Sequence, residues 1–548
     1  MVSDTVPVPT RISVTDHIHP DGTVHTHGSG ILHDHLKDTQ TDSELAEQER
    51  ARRTLLAKGA EFARTDEGNA NRLALYAHDS VRYVKERDRW HHWDGRRWHA
   101  ATDGDMVAVA RWVVGRIYEE AATLSDAPPE DGKPSPRKAH GAFAVRSASA
   151  KAIREMLFLA RGDPTLWQDE STFNTNPYLL NFLNCTVDVR TGTWHYHRRD
   201  DYITGLVHHN YNPNAPASRW VTLVARTFQD AARDNETLRF VWKSLGYASL
   251  IGDNVEQVIF FLIGEPNTGK TKVVEIPARL LGPDYAHKSK TDLVSRRRGG
   301  HHDSERFSIV GKRYVFISET SSIFNLDEAA VKELTGDRSI TTRQLYKSGE
   351  LNPSVTWTII LATNDYPNVL EWDNAVERRV IPLPAGPPVP GNQQVKDLDR
   401  RIVDEEAEGV LAWLVTGARL WWSDWQAAQG DPKQVKSGLW PLATSVEMER
   451  LRYAGSQDHI GQFIAECVVL DVNATPRPAM SSRTEKRDVY AAFKRWRGLG
   501  EVSNRNKLYA RIKRLQGVEV VRERTFVGLS LRLSLGEVVA EAEKPWGG

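Results

Sequence analysis

The stretch "FFLIGEPNTGKTKVV", residues 260–274, constrains this chain more than any other. An apolar run that reads as a buried strand passes into Gly264, Glu265, Pro266, Asn267, Thr268, Gly269, Lys270 and Thr271, the spacing G-x-x-x-x-G-K-T. In a loop of this kind the backbone N–H groups wrap the phosphates of a nucleotide. The lysine reaches the β- and γ-phosphates, and the threonine hydroxyl holds Mg²⁺. The next segment, "TKVVEIPARLL", can be helical at least as far as Pro277. That puts the phosphates at a helix N-terminus, where the macrodipole favours negative charge. A Gly-rich turn without a ligand is the plain alternative, and the strand before and helix after weigh against it.

Three further strand-like segments end in polar residues that suit the same chemistry. "KRYVFISET" stops at Glu319, a carboxylate that can orient water for attack on a γ-phosphate or hold Mg²⁺ through water. ATPases commonly carry two acids at such a strand end; here Ser318 takes the first place. "TWTIILATNDYP" ends in Asn364, an amide able to position the attacking water, although Asn-Asp-x-Pro is also ordinary turn chemistry. "AVERRVIPLP" carries Arg378 and Arg379 into a fourth strand. Arginine, always charged and forked, suits a transition-state phosphoryl group, and adjacent residues entering a strand face opposite ways, so one of the two is expected to serve. Strands alternating with helical segments over 251–390 predict an α/β sheet.

A chain of 548 residues exceeds what one core usually holds, so several domains are expected. Residues 1–60 read as a disordered histidine-rich tail with a lead-in helix, 61–140 as a small β-meander and helical domain, and 141–250 as a helical and strand segment before the ATPase at 251–390. A helical segment follows over 391–470. Residues 471–548 read as helix, helix and two strands, a winged-helix pattern, ending in a flexible tail. The tail "DHIHPDGTVHTHGSGILHDH" can bind metal through histidine pairs, but nothing beside it would shape a site. Trp90, Trp93 and Trp98 flank Asp94-Gly95, a dipeptide suited to a type I′ hairpin; they can stack on nucleic-acid bases, though packing a small sheet is the plainer role. Residues 125–138, rich in proline and charge, read as a linker. Lys+Arg and Asp+Glu both number 72, so any basic surface must be local. Two distant cysteines, Cys185 and Cys467, read as buried small hydrophobes in a reducing compartment, and no apolar run is long enough to span a bilayer.

The four nucleotide motifs, in this order, resemble a superfamily 3 helicase domain, an AAA+ variant, and most closely the phage and plasmid primase-helicases of the poxvirus and satellite-phage type. The likeness runs through "LDEAAVKELTGDRSITTRQLYKSGELNPSVTWTIILATNDYP" and extends upstream to "LLNFLNCTVDVRTG" and downstream to the winged-helix pattern. The resemblance implies ATP and Mg²⁺ as cofactors, held by Lys270 and Thr271. It implies Glu319 as catalytic carboxylate, Asn364 as sensor, and Arg379, with Arg378 beside it, as a finger reaching a neighbouring subunit. It further implies a ring, usually a hexamer, that unwinds DNA while moving along one strand, with single-stranded and forked DNA as partners. Lys347, at the turn of "QLYKSGEL", would be the basic hairpin tip gripping DNA, with Arg343 the next candidate. Such a protein is phage- or plasmid-encoded and works in the cytoplasm of a bacterial host. No Asp-x-Asp strand precedes about residue 150, so primer synthesis is expected from a separate primase or polymerase. The alternative is an ATP-switched initiator that binds an origin without unwinding it; a small-molecule kinase explains the arginines and the C-terminal domain poorly.

Overall fold

The computed structural model describes residues 16–18, 24–26, 42–127, 133–228, 235–296, 303–318, 324–336, 342–343, 350–351, 353–369, 372–430, 437–473, 481–497 and 505–532. Most of the histidine-rich tail, Glu319 and Lys347 lie outside the described residues.

Within the first part, β1 (Asp16–Ile18) pairs antiparallel with β2 (Val24–Thr26). Helices α1 (Asp42–Glu61) and α2 (Asp66–Ala77) lead to a meander of β3 (Val81–Val84), β4 (Arg89–Trp93) and β5 (Trp98–Ala100), then to α3 (Asp103–Thr123), α4 (Pro136–Ser147) and α5 (Ala150–Ala160). One apolar cluster running from Leu56 to Leu166 fills this unit. Trp90 and Trp98 are buried, and Trp98 donates its indole N–H to the Arg199 carbonyl, so these rings pack the sheet. Trp93 opposes Trp98, which makes the hairpin loop four residues long; Asp94 Oδ1 accepts from the Arg96 and Arg97 amides and shapes it in place of a two-residue type I′ turn. Helix α4 begins inside the expected linker because Ser135 caps it and Pro136 is preset for a first helical position. Glu120, fully buried, accepts from Arg72 and the Tyr76 hydroxyl and bonds His140 Nε2 at 2.7 Å, tying α2, α3 and α4 together.

A second meander, β6 (Leu179–Asn181), β7 (Thr186–Asp188) and β8 (Trp194–His195), precedes α6 (Ser218–Thr227) and α7 (Asn235–Leu250). The central sheet comprises β9 (Ile259–Ile263), β10 (Ala286–Ser289), β11 (Tyr314–Ser318), β14 (Thr358–Thr363) and β15 (Val380–Pro384), all parallel in the order β10-β11-β14-β9-β15. Between these strands come α8 (Lys270–Tyr285), α9 (Asp303–Ser308), α10 (Glu328–Gly336), the short pair β12 (Thr342–Arg343) and β13 (Glu350–Leu351), and α11 (Asn374–Glu377). Near-continuous Ile, Val, Leu and Phe in the strands fit burial on both faces. Helix α8 runs through Pro277 and breaks only at Gly282 (φ 72°); burial of Val273, Val274, Ile276 and Leu281 outweighs the backbone bond that the proline removes.

After the sheet come α12 (Leu398–Glu405), α13 (Ala407–Gly430), α14 (Thr444–Gln457) and α15 (His459–Cys467). The C-terminal unit contains β16 (Val468–Leu470), β17 (Arg483–Glu485), α16 (Lys486–Trp496), α17 (Arg505–Lys513), β18 (Glu519–Val521), β19 (Thr525–Val527) and β20 (Leu529–Leu531) around its own cluster from Phe463 to Leu529. Its strands form a β17-β19-β18 sheet and a β16-β20 pair. Residues 180–251 share the cluster that covers one face of the sheet and extends to Val446, so the clusters part between Leu166 and Leu180. Cys185 is buried, which pushes its thiol up to about 12, and Cys467 is half-buried. No described helix is long and apolar enough to cross a membrane.

Helices α7 and α13 cross at glycines. A Cβ on Gly246 would lie 2.3 Å from the Ala418 amide nitrogen, and one on Gly417 would lie 2.3 Å from the Trp242 carbonyl. Gly246→Ala should therefore destabilise the fold by about 1–3 kcal/mol, the usual cost of overpacking. A thermal midpoint equal to that of the wild type would show that the two helices are free to separate.

Candidate nucleotide site

The site starts from strand register. Ile263 of β9 lies level with Thr363 of β14 and Pro384 of β15, so Gly264 and Asn364 leave the sheet at one height. The chain builds the sheet outward to β10, returns through β11 and β14, then crosses β9 to place β15 on the other side. The reversal falls at the carboxyl end of β9, where open α/β sheets form a ligand crevice.

Loop 264–269 fills that crevice. Asn267 (φ 63°) and Gly269 (φ 100°) adopt left-handed conformations, and Gly269 caps α8. A Cβ on Gly269 would come within 2.5 Å of Thr227 Oγ1, so glycine is required there by backbone and by space. The exit of β15 braces the loop: Ala385 N–H donates to the Ile263 carbonyl (2.6 Å) and Val389 N–H to the Asn267 carbonyl (2.9 Å).

Lys270 is the centre of this arrangement. Its side chain is buried, and Nζ donates to the carbonyls of Gly264 and Glu265 (both 2.6 Å), to Thr268 Oγ1 (3.3 Å) and to Asn364 Oδ1 (3.2 Å). All four acceptors are neutral. Burial pushes the ammonium's pKa below the ordinary lysine value. A charge held this way, with no carboxylate among its described partners to cancel it, suits a phosphate oxygen. Asn364, with its oxygen turned to Lys270, keeps its amide N–H₂ for another acceptor.

Thr271 is exposed in the first turn of α8. Mg²⁺ typically keeps several waters and takes one or two protein oxygens plus substrate phosphates, a requirement that a single hydroxyl beside a phosphate cradle fits. Among the described residues no group of three or more His, Cys, Asp and Glu converges on a metal site. Glu319 lies outside them. The last residue of β11, Ser318, donates to Glu275 Oε1 (3.2 Å), which also accepts from Lys288 (3.1 Å). Glu275 stands four residues after Thr271 on one helix face; that spacing was the available sequence signal for it.

The arginine pair is arranged opposite to expectation. Arg379 is buried, donating from Nε to Thr335 Oγ1 (3.1 Å) and from Nη1 to the Ala375 carbonyl (2.9 Å). Arg378, at the end of α11, is exposed. The cause is the switch from helix to strand, which turns the residue entering β15 inward. Arg343 lies on β12 opposite Glu350 of β13, so the two halves of the expected hairpin pair, while its Lys347 tip lies outside the described residues.

Sequence reasoning missed the support of the turn after Asn364. Tyr366 stacks on Tyr453 of α14 at 4.0 Å and donates to Glu449 (2.7 Å); Tyr453 donates to the Pro367 carbonyl (2.7 Å), and Gln457 accepts from the Val369 amide (2.8 Å). These contacts join residues far apart in the chain and have no local motif.

Residues 70–229 match the family described as "D5 N terminal like". The chain is 24% identical over 360 residues to the "Putative primase" of African swine fever virus (strain Badajoz), covering 63% of this chain and 35% of that protein. It is 24% identical over 307 residues to "Putative helicase 022R" of Frog virus 3 (isolate Goorha), covering 52% and 29%. The chain is thus similar to viral proteins named as primases and helicases. It spans about a third of the length of these relatives. An apo structure of the NrS-1 C terminal region aligns with 82% of this chain and 96% of its own, at 10% identity and a TM-score of 0.40.

Because burial lowers the Lys270 pKa, its ammonium should be lost at a pH below the ~10.4 of a free lysine. Nucleotide affinity should accordingly fall as pH rises through that lowered value, read by equilibrium binding over the alkaline range. Affinity that holds constant up to the ordinary lysine range would detach Lys270 from phosphate binding.

Proposed function

We propose that the protein is an ATP-dependent DNA helicase of superfamily 3, built on an AAA+ ATPase core and working as a ring in phage or plasmid DNA replication. The observation that carries this reading is the Lys270 ammonium, buried in the 264–269 loop and shared with Asn364 at the tip of the neighbouring strand. Its relation to viral proteins named as primases and helicases supplies the replication context.

In this reading ATP lies along the loop with its terminal phosphate between Lys270 and Asn364. Mg²⁺, held by Thr271 and by Glu319 through water, neutralises charge on the phosphates. Gly264, Glu265, Pro266, Asn267, Thr268 and Gly269 shape the cradle. Glu319 orients and deprotonates the attacking water, and Asn364 donates to the γ-phosphate. Arg378, the exposed member of the pair, reaches the site of the next subunit. The β12–β13 hairpin presents Lys347, and near its base Arg343, to single-stranded or forked DNA in the ring. The C-terminal unit, as a winged helix, offers α17 with Arg505, Lys507 and Lys513 to duplex DNA. The protein works in the host cytoplasm.

The deciding experiment is strand displacement on a forked duplex together with ATPase stimulation by single-stranded DNA. ATP binding without displacement or stimulation would select an ATP-switched origin-binding initiator instead. Lys270→Ala should lower turnover by at least ~100-fold with the fold intact, and Glu319→Gln should bind ATP without hydrolysing it. For the arginine, Arg378→Ala mixed with Lys270→Ala should recover about a quarter of wild-type ATPase in randomly mixed rings, the fraction of interfaces with both parts intact. Recovery with Arg379→Ala in place of Arg378→Ala would return the role to the buried arginine.

A further inference from the structure

Acidic and basic residues balance at 72 each, so a local excess of exposed cations is a feature of the surface where it occurs. One such excess lies on α5. Lys151, Arg154, Phe158 and Arg161 are exposed and follow one another at spacings of three, four and three, which places them along a single helix face. Phe158 is 64% exposed, a large ring left mostly to solvent.

The stripe runs into an open cavity of about 640 Å³ lined by Tyr83, Lys85, Asp88, Phe158, Arg161 and their neighbours. Lys85 places its ammonium on the ring of Trp167, which is itself 37% exposed, and the Arg161 guanidinium lies 5.8 Å from the Tyr83 ring centroid. Lys85, Lys151, Arg154 and Arg161 put four cations on this surface. Asp88 is engaged by the Tyr83 hydroxyl and Arg161, leaving Glu155 as the other acid on the helix.

Exposed rings interleaved with cations are the composition of a stacking platform for unpaired bases: every base offers a π-face, and the phosphates meet the cations without regard to sequence. A duplex keeps its bases stacked on each other and has none to give. We propose that α5 and the Lys85–Trp167 shelf form a second, sequence-tolerant binding surface for single-stranded DNA, with bases on Phe158 and Trp167 and phosphates on Lys151, Arg154 and Arg161. The surface stands on residues outside the nucleotide loop and does not require ATP.

Fluorescence anisotropy of a labelled oligothymidylate with the full chain, without nucleotide, tests it. The same titrations in a Lys347→Ala background separate this surface from the proposed hairpin grip. Phe158→Ala should weaken binding at least ~5-fold, the low end for removing one base stack, and leave affinity for a blunt duplex unchanged. Lys151→Gln with Arg154→Gln should flatten the slope of log affinity against log salt by about 1.4, ~0.7 for each single-strand phosphate that is no longer neutralised. All three side chains are exposed, so thermal midpoints should stay at the wild-type value. Binding within twofold of wild type with an unchanged slope would overturn the proposal. So would equal weakening on duplex and single strand, or complete loss of binding from Lys347→Ala alone with no further effect of Phe158→Ala.

Discussion

The hydrogen bond between Lys270 Nζ and Asn364 Oδ1, 3.2 Å long, depends on more of this chain than any other single contact. It exists because β9 and β14 are parallel neighbours in a register that sets Ile263 beside Thr363. A shift of one residue would turn Asn364 to the other face of the sheet, and Lys270 would keep only its own loop. The register is in turn held by burial on both faces. Phe260, Leu262, Ile360 and Ala362 enter one cluster, and Ile259, Phe261, Ile359 and Leu361 enter the other. A slip of one residue would exchange the two sets and put each into the cluster shaped for the other.

Elements outside the sheet converge on the same tips. Thr227 at the end of α6 backs Gly269, and its carbonyl accepts from Gly386 beyond β15 (2.7 Å). Arg313, buried before β11, donates to the carbonyls of Leu250 (2.7 Å) and Leu179 (2.5 Å), so the segment preceding the sheet is fastened to its frame. Helix α14 grips the turn after Asn364 through Tyr453, Glu449 and Gln457, and pairs Arg450 with Glu377 just before the arginines (2.9 Å). The residue that follows α14, Asp458, holds Arg511 of α17 in a paired contact of 2.8 and 2.7 Å. The turn after Asn364 and the basic C-terminal helix are thus attached side by side, at the C-terminal half of one helix.

Much of this was legible in the sequence where the signal is local. The loop, the strands ending at Ser318, Thr363 and Pro384, and the helix–helix–strand pattern near the C-terminus follow from short-range periodicity and glycine placement. Longer-range facts were not. Whether Arg378 or Arg379 faces outward depends on the exact residue at which α11 yields to β15. The helix after the loop could be followed in the sequence at least as far as Pro277; its continuation beyond the proline rests on packing that comes from the sheet. Glu275 reaching Ser318, and Tyr453 stacking on Tyr366, require knowing which helix lies over which strand.

The tryptophans make the same point about function. Trp90 and Trp98 flank a turn where rings could stack on bases, but packing a small sheet was the plainer reading, and the three-stranded meander, with little else to fill its core, takes them inside. Phe158 sits in an ordinary amphipathic stretch where periodicity would assign a phenylalanine to the core. In fact Ile153, Met156 and Ala160 supply the buried side of α5, and Phe158 falls a quarter-turn or more away from it, beside Arg154 and Arg161. A fold short of apolar volume therefore draws its turn-flanking rings inside, and the exposed ring is found on the helix that already has enough.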